Sequence, residues 1–314
     1  MIPQLDLLHI ETTTGCNLRC RHCATRHPDY VSAYLSSDVF HKLLPAIAEH
    51  KPWVNLSGHG ETLIHPDFLR MFRACGQQHA RGIEFQTNGH KLTPELISEL
   101  LAAGSWERLK VSIDGATEET YQWVRGVPLK PVRDNLAEFR CQRGGLTTPG
   151  LTIEFCAMRR NICELPDVVM LAADLGADRI VVGDLREYAG MEGQSLVGDW
   201  QLAEKFYRDA ATVASQRGID FCPSELILSR LGRLAPVPKA DGNGVCRIPW
   251  KTAFVDVAGR VRPCCVVDES LGDLNSQSFE EAWNGERANE FRNRFENGEL
   301  PLICQTCTWA GRER

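Results

Sequence analysis

Apolar positions along the first two thirds of the chain alternate between two periods. Two-residue alternation marks LLHIETT (7–13), WVNLSG (53–58), GIEFQTNG (82–89), RLKVSID (108–114), LTIEFCAM (151–158) and RIVVGDL (179–185). After each comes helical spacing, at 37–50 with a Ser/Asp start, then near 66–80, 93–103, within 118–140, near 164–175 and around 199–216. The pattern predicts six βα units in succession. Such units require right-handed crossovers and a parallel sheet, and periodicity alone leaves open whether that sheet is flat or curled into a barrel.

Beyond about residue 224 the pattern changes. PVPKADGNG (236–244) reads as a linker, TAFVDVAGRVRPCC (252–265) as a hairpin turning at Ala258-Gly259, and SFEEAWNGERANEFRNRFENG (278–298) as mostly helical. We therefore expect a main domain over 1–224 and a small appendage over 225–314. A length of 314 residues accommodates this division.

Composition narrows the function. The formal charge is 35 − 41 = −6, which argues against nucleic acid as the partner, since phosphate binding needs a surplus of Lys and Arg. No apolar run approaches membrane-spanning length, and the start MIPQLDLLHIETTTGC has no basic leader followed by an apolar stretch, so we expect a cytoplasmic protein with no membrane partner.

The thirteen cysteines are unevenly spread. Cys75, Cys141, Cys156, Cys163 and Cys222 sit mostly inside periodic apolar segments and are expected to be small buried hydrophobes. The rest cluster: Cys16, Cys20 and Cys23 at the front, Cys246, Cys264, Cys265, Cys304 and Cys307 at the back. Clustered thiols in such a chain point to metal rather than disulfides.

ETTTGCNLRCRHC sets three cysteines as C-x-x-x-C-x-x-C directly after the first strand, in a loop at a parallel strand's carboxyl end, where α/β proteins build active sites. Three protein ligands leave one metal position open. The alternative from spacing alone is a zinc site completed by His22 or His27. A second signal, SGHGET (57–62), lies at the next strand's carboxyl end.

With VSIDG (111–115) on the fourth strand, these motifs resemble the radical S-adenosylmethionine (radical SAM) family. The resemblance implies a partial (β/α)6 TIM-like barrel. It also implies that Cys16, Cys20 and Cys23 hold a 4Fe-4S cluster whose open iron chelates S-adenosylmethionine. One electron then cleaves the cofactor to a 5'-deoxyadenosyl radical that abstracts a substrate hydrogen. Gly58 and Gly60 are expected to allow close backbone approach and positive φ, and the Glu61 carboxylate to accept the cofactor's ammonium group. Ser112 and Asp114 share a strand face, and family precedent puts them on the ribose. Asn88 is either a site residue or a turn residue; His22 stands where the family usually has an aromatic, and its ring can pack on adenine. His59, which splits the glycines, is read as a loop residue, and Arg125 as a surface or helix-end residue.

At the back, Cys246 is followed by twelve residues, Gly259, four more and Cys264, then by CQTC (304–307). This spacing resembles the SPASM/twitch extensions that bind auxiliary 4Fe-4S clusters. Only TWAGRER follows, which fits the shorter, one-cluster twitch type. Cys246, Cys264, Cys304 and Cys307 are the implied ligands, with Cys265 on the opposite face; a four-thiolate zinc knot is the alternative.

Together these features imply an oxidoreductase or maturase whose auxiliary cluster accepts an electron or anchors the substrate. Full thiolate ligation favours the electron role and a net two-electron oxidation of a peptide or protein side chain or of a small alcohol such as an aminocyclitol or sugar. The chain opening at its first strand weighs slightly against a peptide, for want of a leader-binding domain. An electron donor such as flavodoxin or ferredoxin is implied as a partner. The competing expectation is a non-catalytic zinc-stabilised binding protein.

Overall fold

The computed structural model describes residues 3–27, 29–104, 106–185, 187, 190–196, 199–224, 228, 246–305 and 307. The expected linker at 236–244 and the TWAGRER tail lie outside them. The chain divides into two compact units, one of Met1–Gly15, Ser32–Glu84 and Ala235–Arg314, the other of Cys16–Val31 and Phe85–Leu234.

In the first unit, β1 (Leu7–Ile10), β2 (Trp53–Leu56) and the start of β3 (Gly82–Thr87) run parallel, in register from Leu7↔Trp53 and Trp53↔Gly82. Leu8, Ile10, Val54 and Leu56 are fully buried, as alternation requires. The expected helix over 37–50 is instead two, α1 (Ser37–His41) and α2 (Leu44–His50). Pro45 explains the break: it has no N–H to give, and its ring opposes the His41 carbonyl four residues back. Helix α3 (Phe68–Gln77) follows, burying Phe68, Met71, Phe72 and Cys75.

The hairpin at the back forms as expected, with β8 (Thr252–Val255) antiparallel to β9 (Arg260–Arg262) and a positive φ of 84° at Gly259. Its first strand also pairs parallel with β1, Leu7↔Thr252 through Ile10↔Val255, a pairing the sequence reading did not contain. A short β10 (Gly272–Asp273) closes the edge. The helix expected over 278–298 is divided into Phe279–Asn284 and Glu286–Glu296 at Gly285. Ser278 starts the first with a reciprocal capping box to Glu281.

The second unit carries four parallel strands in the order β4 (Arg108–Ser112), β5 (Gly150–Ala157), β6 (Arg179–Asp184) and β7 (Asp220–Pro223). The last was not anticipated. Helices α4 (Pro94–Ala102), α5 (Glu118–Arg125), α6 (Lys130–Arg143), α7 (Leu165–Asp174) and α8 (Trp200–Arg217) supply the connections. Leu109, Val111, Ile153, Phe155, Ile180 and Val182 are buried with Val132, Leu136, Val168 and Val169. The intervening strand positions Lys110, Ser112 and Asp114 therefore face the other way.

Among the five cysteines expected to be buried, Cys75 is, while Cys156 and Cys222 are half-buried. Cys141 and Cys163 are exposed, a correction. Cys141 lies outside the buried face of α6, which carries Val132, Leu136, Phe139 and Arg143, and Cys163 sits in a single 3-10 turn, Ile162–Glu164.

Candidate functional site

In the first unit, the segments after β1 and β2 are drawn together backbone to backbone. The Gly60 N–H donates to the Thr13 carbonyl at 3.2 Å and the Glu61 N–H to the Gly15 carbonyl at 2.8 Å. A methyl on Gly60 would lie 2.2 Å from the Gly15 oxygen, so only glycine fits. Likewise a Cβ on Gly58 would meet Glu11 Cγ at 2.4 Å. The expected close approach thus occurs against the chain's own loop, and the expected positive φ does not, since neither glycine is in the left-handed region. Glu61 is buried, and its Oε1 accepts the Leu63 N–H at 3.1 Å, capping the 3-10 turn Thr62–Ile64.

Sequence reasoning missed Glu11 altogether. It is buried at the end of β1, and its Oε1 lies 2.6 Å from His59 Nδ1 and 3.1 Å from the His59 N–H. Burial pushes the Glu11 carboxyl up, but the His59 contacts outweigh it and hold the group below its ordinary value. The same hydrogen bond raises His59 above the usual imidazole range. His59 is therefore more than a loop residue: it and Glu11 form an ion pair.

In the second unit, each front thiol receives a donor. Cys16 Sγ accepts from the Leu18 N–H at 3.4 Å and lies 4.0 Å from Asn88 Nδ2, which also donates to Asn17 Oδ1 at 2.8 Å. Cys23 Sγ accepts from Thr25 Oγ1 at 3.2 Å, and Cys20 Sγ lies 3.7 Å from Arg125 Nη1. Arg125 is the last residue of α5, which stops at Gly126 with φ 79°. The residue expected at the surface is in fact buried, with its Nε 2.6 Å from Asp114 Oδ2.

Asp114 is 0% exposed. Its Oδ1 accepts the Cys156 N–H at 2.8 Å, and Oδ2 faces both Arg125 and, at 3.6 Å, His22 Nε2. The carboxylate expected on a ribose is thus already engaged within the unit. Ser112, on the same strand face, accepts from Gln86 Nε2 at 3.2 Å. Burial opposes charge on Arg125, but Asp114 and Cys20 more than offset it and keep the guanidinium protonated. Burial also raises the Cys20 thiol, with Arg125 acting against it, and lowers His22.

Four rear thiols, Cys246, Cys264, Cys304 and Cys307, are half-buried, whereas Cys265 is exposed. Cys246, Cys264 and Cys304 pack on a core of Trp250, Val267, Leu271, Ala288, Phe291 and Phe295. Burial, then the neighbouring Cys264, Cys307 and Cys246 charges, push the Cys304 thiol up to about 12. Four thiolates so close repel unless a cation joins them.

The donor sets test which metal fits. Tetrahedral zinc with Zn–S near 2.3 Å sets its sulfurs about 3.8 Å apart. Neither the three front thiols nor any three of the rear ones all lie within 4.8 Å of one another. Donor sets made of thiols alone suit an iron-sulfur cluster.

Residues 10–143 match the Radical SAM superfamily, and residues 246–308 match an iron-sulfur cluster-binding domain, SPASM. The chain is 31% identical to an AdoMet-dependent heme synthase of Methanosarcina barkeri, over 96% of this chain and 88% of that one. This chain belongs to the radical SAM superfamily. The radical SAM protein is also 28% identical to a PqqA peptide cyclase of Bradyrhizobium diazoefficiens, over 98% of this chain and 79% of that one. Among solved structures, Streptococcus suis SuiB bound to S-adenosylmethionine matches with a TM-score of 0.72 at 15% identity, over 90% of this chain and 66% of that one. The fold is accordingly a partial TIM-like barrel with a C-terminal SPASM extension. The protein is an enzyme whose cofactors are a 4Fe-4S cluster, S-adenosylmethionine and an auxiliary iron-sulfur cluster. The zinc-binding alternative is set aside with that assignment. Among the described residues no helix is long and apolar enough to cross a membrane.

Proposed function

We propose that this enzyme oxidatively modifies a peptide or protein side chain. The bound cluster and S-adenosylmethionine supply a carbon radical able to remove a substrate hydrogen atom. Cys16, Cys20 and Cys23 are the proposed ligands of the front cluster, and the donor aimed at each thiol supports that reading. Gly58, Gly60, Glu61, Ser112 and Asp114 are the proposed cofactor contacts, with Asp114 also paired to Arg125. Cys246, Cys264, Cys304 and Cys307 are the proposed ligands of the auxiliary cluster, which would supply an acceptor for the second electron of a net two-electron oxidation, the substrate's proton going to solvent. A flavodoxin or ferredoxin is the proposed donor of the first electron. The boundary between barrel and extension is proposed near residue 224.

The observation that carries the peptide reading is kinship over 98% of the chain with a protein named for a peptide substrate. A second reading, oxidation of a haem precursor, is favoured by the 31% identity to a heme synthase over 96% of the chain. The reductive cleavage step is tested on anaerobically reconstituted protein. About eight irons per chain are expected from two clusters, and replacing Cys16, Cys20 and Cys23 together by Ala should remove about half of them and all 5'-deoxyadenosine formation. Unchanged cleavage in that variant would overturn the front assignment. Substrate class is decided by which addition, a short precursor peptide or an iron porphyrin, accelerates 5'-deoxyadenosine release; if neither does, both substrate readings fail.

A further inference from the structure

The geometry points to Arg125 as a positioning residue that sets the reduction potential of the front cluster through Cys20. This inference rests on the reading of Cys20 as a cluster ligand. A guanidinium is seldom buried without a task that uses its charge. Arg125 is buried where α5 ends, and its two faces do different things: Nε meets Asp114 Oδ2 at 2.6 Å, and Nη1 meets Cys20 Sγ at 3.7 Å. Asp114 is itself fixed by the Cys156 N–H at 2.8 Å and, through its carbonyl, by Asn161 Nδ2 at 3.1 Å. The carboxylate therefore holds the fork, and the fork's other branch is aimed at one sulfur.

A charged N–H donor on a thiolate draws electron density from the sulfur, and hydrogen bonds and net charge at the sulfurs are what set iron-sulfur potentials. Neutral groups approach the other two thiols: a backbone N–H and an Asn amide near Cys16, and a Thr hydroxyl at Cys23. At Cys20 the donor carries a full positive charge, and Arg125 makes the cluster easier to reduce.

The test is a potentiometric titration of the reconstituted full-length enzyme followed by electron paramagnetic resonance. The front cluster is recognised as the one whose signal changes on adding S-adenosylmethionine, and the auxiliary cluster serves as internal reference. Arg125→Met should lower the front potential so that, where half of the wild-type cluster is reduced, the reduced-to-oxidised ratio falls about tenfold, which is about 59 mV for a one-electron couple. Asp114→Asn should move it the opposite way, because the guanidinium stays while its compensating charge is removed. Arg125→Lys should restore part of the lost potential. An unchanged front potential in Arg125→Met, or shifts of the same sign in Arg125→Met and Asp114→Asn, would overturn the inference. Should Arg125→Met fail to hold iron, Arg125→Lys decides: a loaded front cluster of intermediate potential upholds the role, and loss of iron in both variants assigns Arg125 to packing alone. A wild-type enzyme with no cofactor-responsive cluster would overturn the ligand assignment as well, which separates the two failures.

Discussion

The front and rear thiols are chemically identical and are prepared for metal in opposite ways. Those in the second unit sit among polar donors: Asn88 beside Cys16 and Asn17, and the buried cation Arg125 between Cys20 and Asp114. In the first unit, Cys246, Cys264 and Cys304 sit on aromatic and aliphatic side chains, and burial, with the neighbouring thiols second to it, drives Cys304 up to about 12. The front arrangement brings polar and charged donors to the sulfurs and so adjusts what the metal does. At the rear, metal binding adds folding energy to a small packed module, because coordination and folding are linked.

Three experiments sharpen or break that contrast. The largest effect is expected at the rear. Cys264→Ser should lose the auxiliary cluster, substrate turnover and protection from proteolysis across 246–305, while 5'-deoxyadenosine still forms; Cys265→Ser should keep both clusters, because this thiol is exposed and off the aromatic core. Iron content and limited proteolysis read both variants, and if Cys265→Ser is the one that loses the auxiliary signal, the register of the β9 end is off by one residue.

A smaller effect is expected in the loop after β2. Glu61→Ala should weaken S-adenosylmethionine binding by about 1.5–3 kcal/mol, the usual range for a hydrogen bond to a charged group. Calorimetric titration checks this, and an unaltered dissociation constant would leave Glu61 only its cap on Leu63.

The smallest effect is a pH dependence. The folded pKa of His59 is raised, so its contribution to stability is complete below the ordinary imidazole value of about 6.5 and fades as pH rises through the raised one. Glu11 is lowered, so its contribution holds above about 4.3 and fades as pH falls through the lowered value. The pair should therefore add most between those limits, and His59→Gln should flatten the profile of melting temperature against pH above 6.5. A wild-type profile as flat as the variant's would remove the pair from the stability account.

What the sequence made legible follows from what is local. The βα alternation, the hairpin at Gly259 and both cysteine spacings are short-range patterns, and each is visible without a structure. Arg125 was not legible, because the periodicity of α5 assigns an arginine to solvent by default. Asp114, once buried, needs a countercharge, and its own burial is visible only in the structure. Glu11 escaped for a similar reason: nothing local to ETTTGC tells that its partner is His59, 48 residues on. The break before α2 was legible in Pro45 and was overlooked.

The pairing of β8 with β1 has a consequence for how the chain is made. Leu7 meets Thr252, so once made, β1 must wait for 252 − 7 = 245 further residues before one of its edges is satisfied. At bacterial or eukaryotic elongation speeds of roughly 5–20 residues per second, the delay is on the order of 10–50 s. For that interval the Leu7–Ile10 edge is an open template for any other extended segment. Nascent chains of this enzyme stalled before residue 252 should consequently depend on a holding chaperone, and those released after β8 should not.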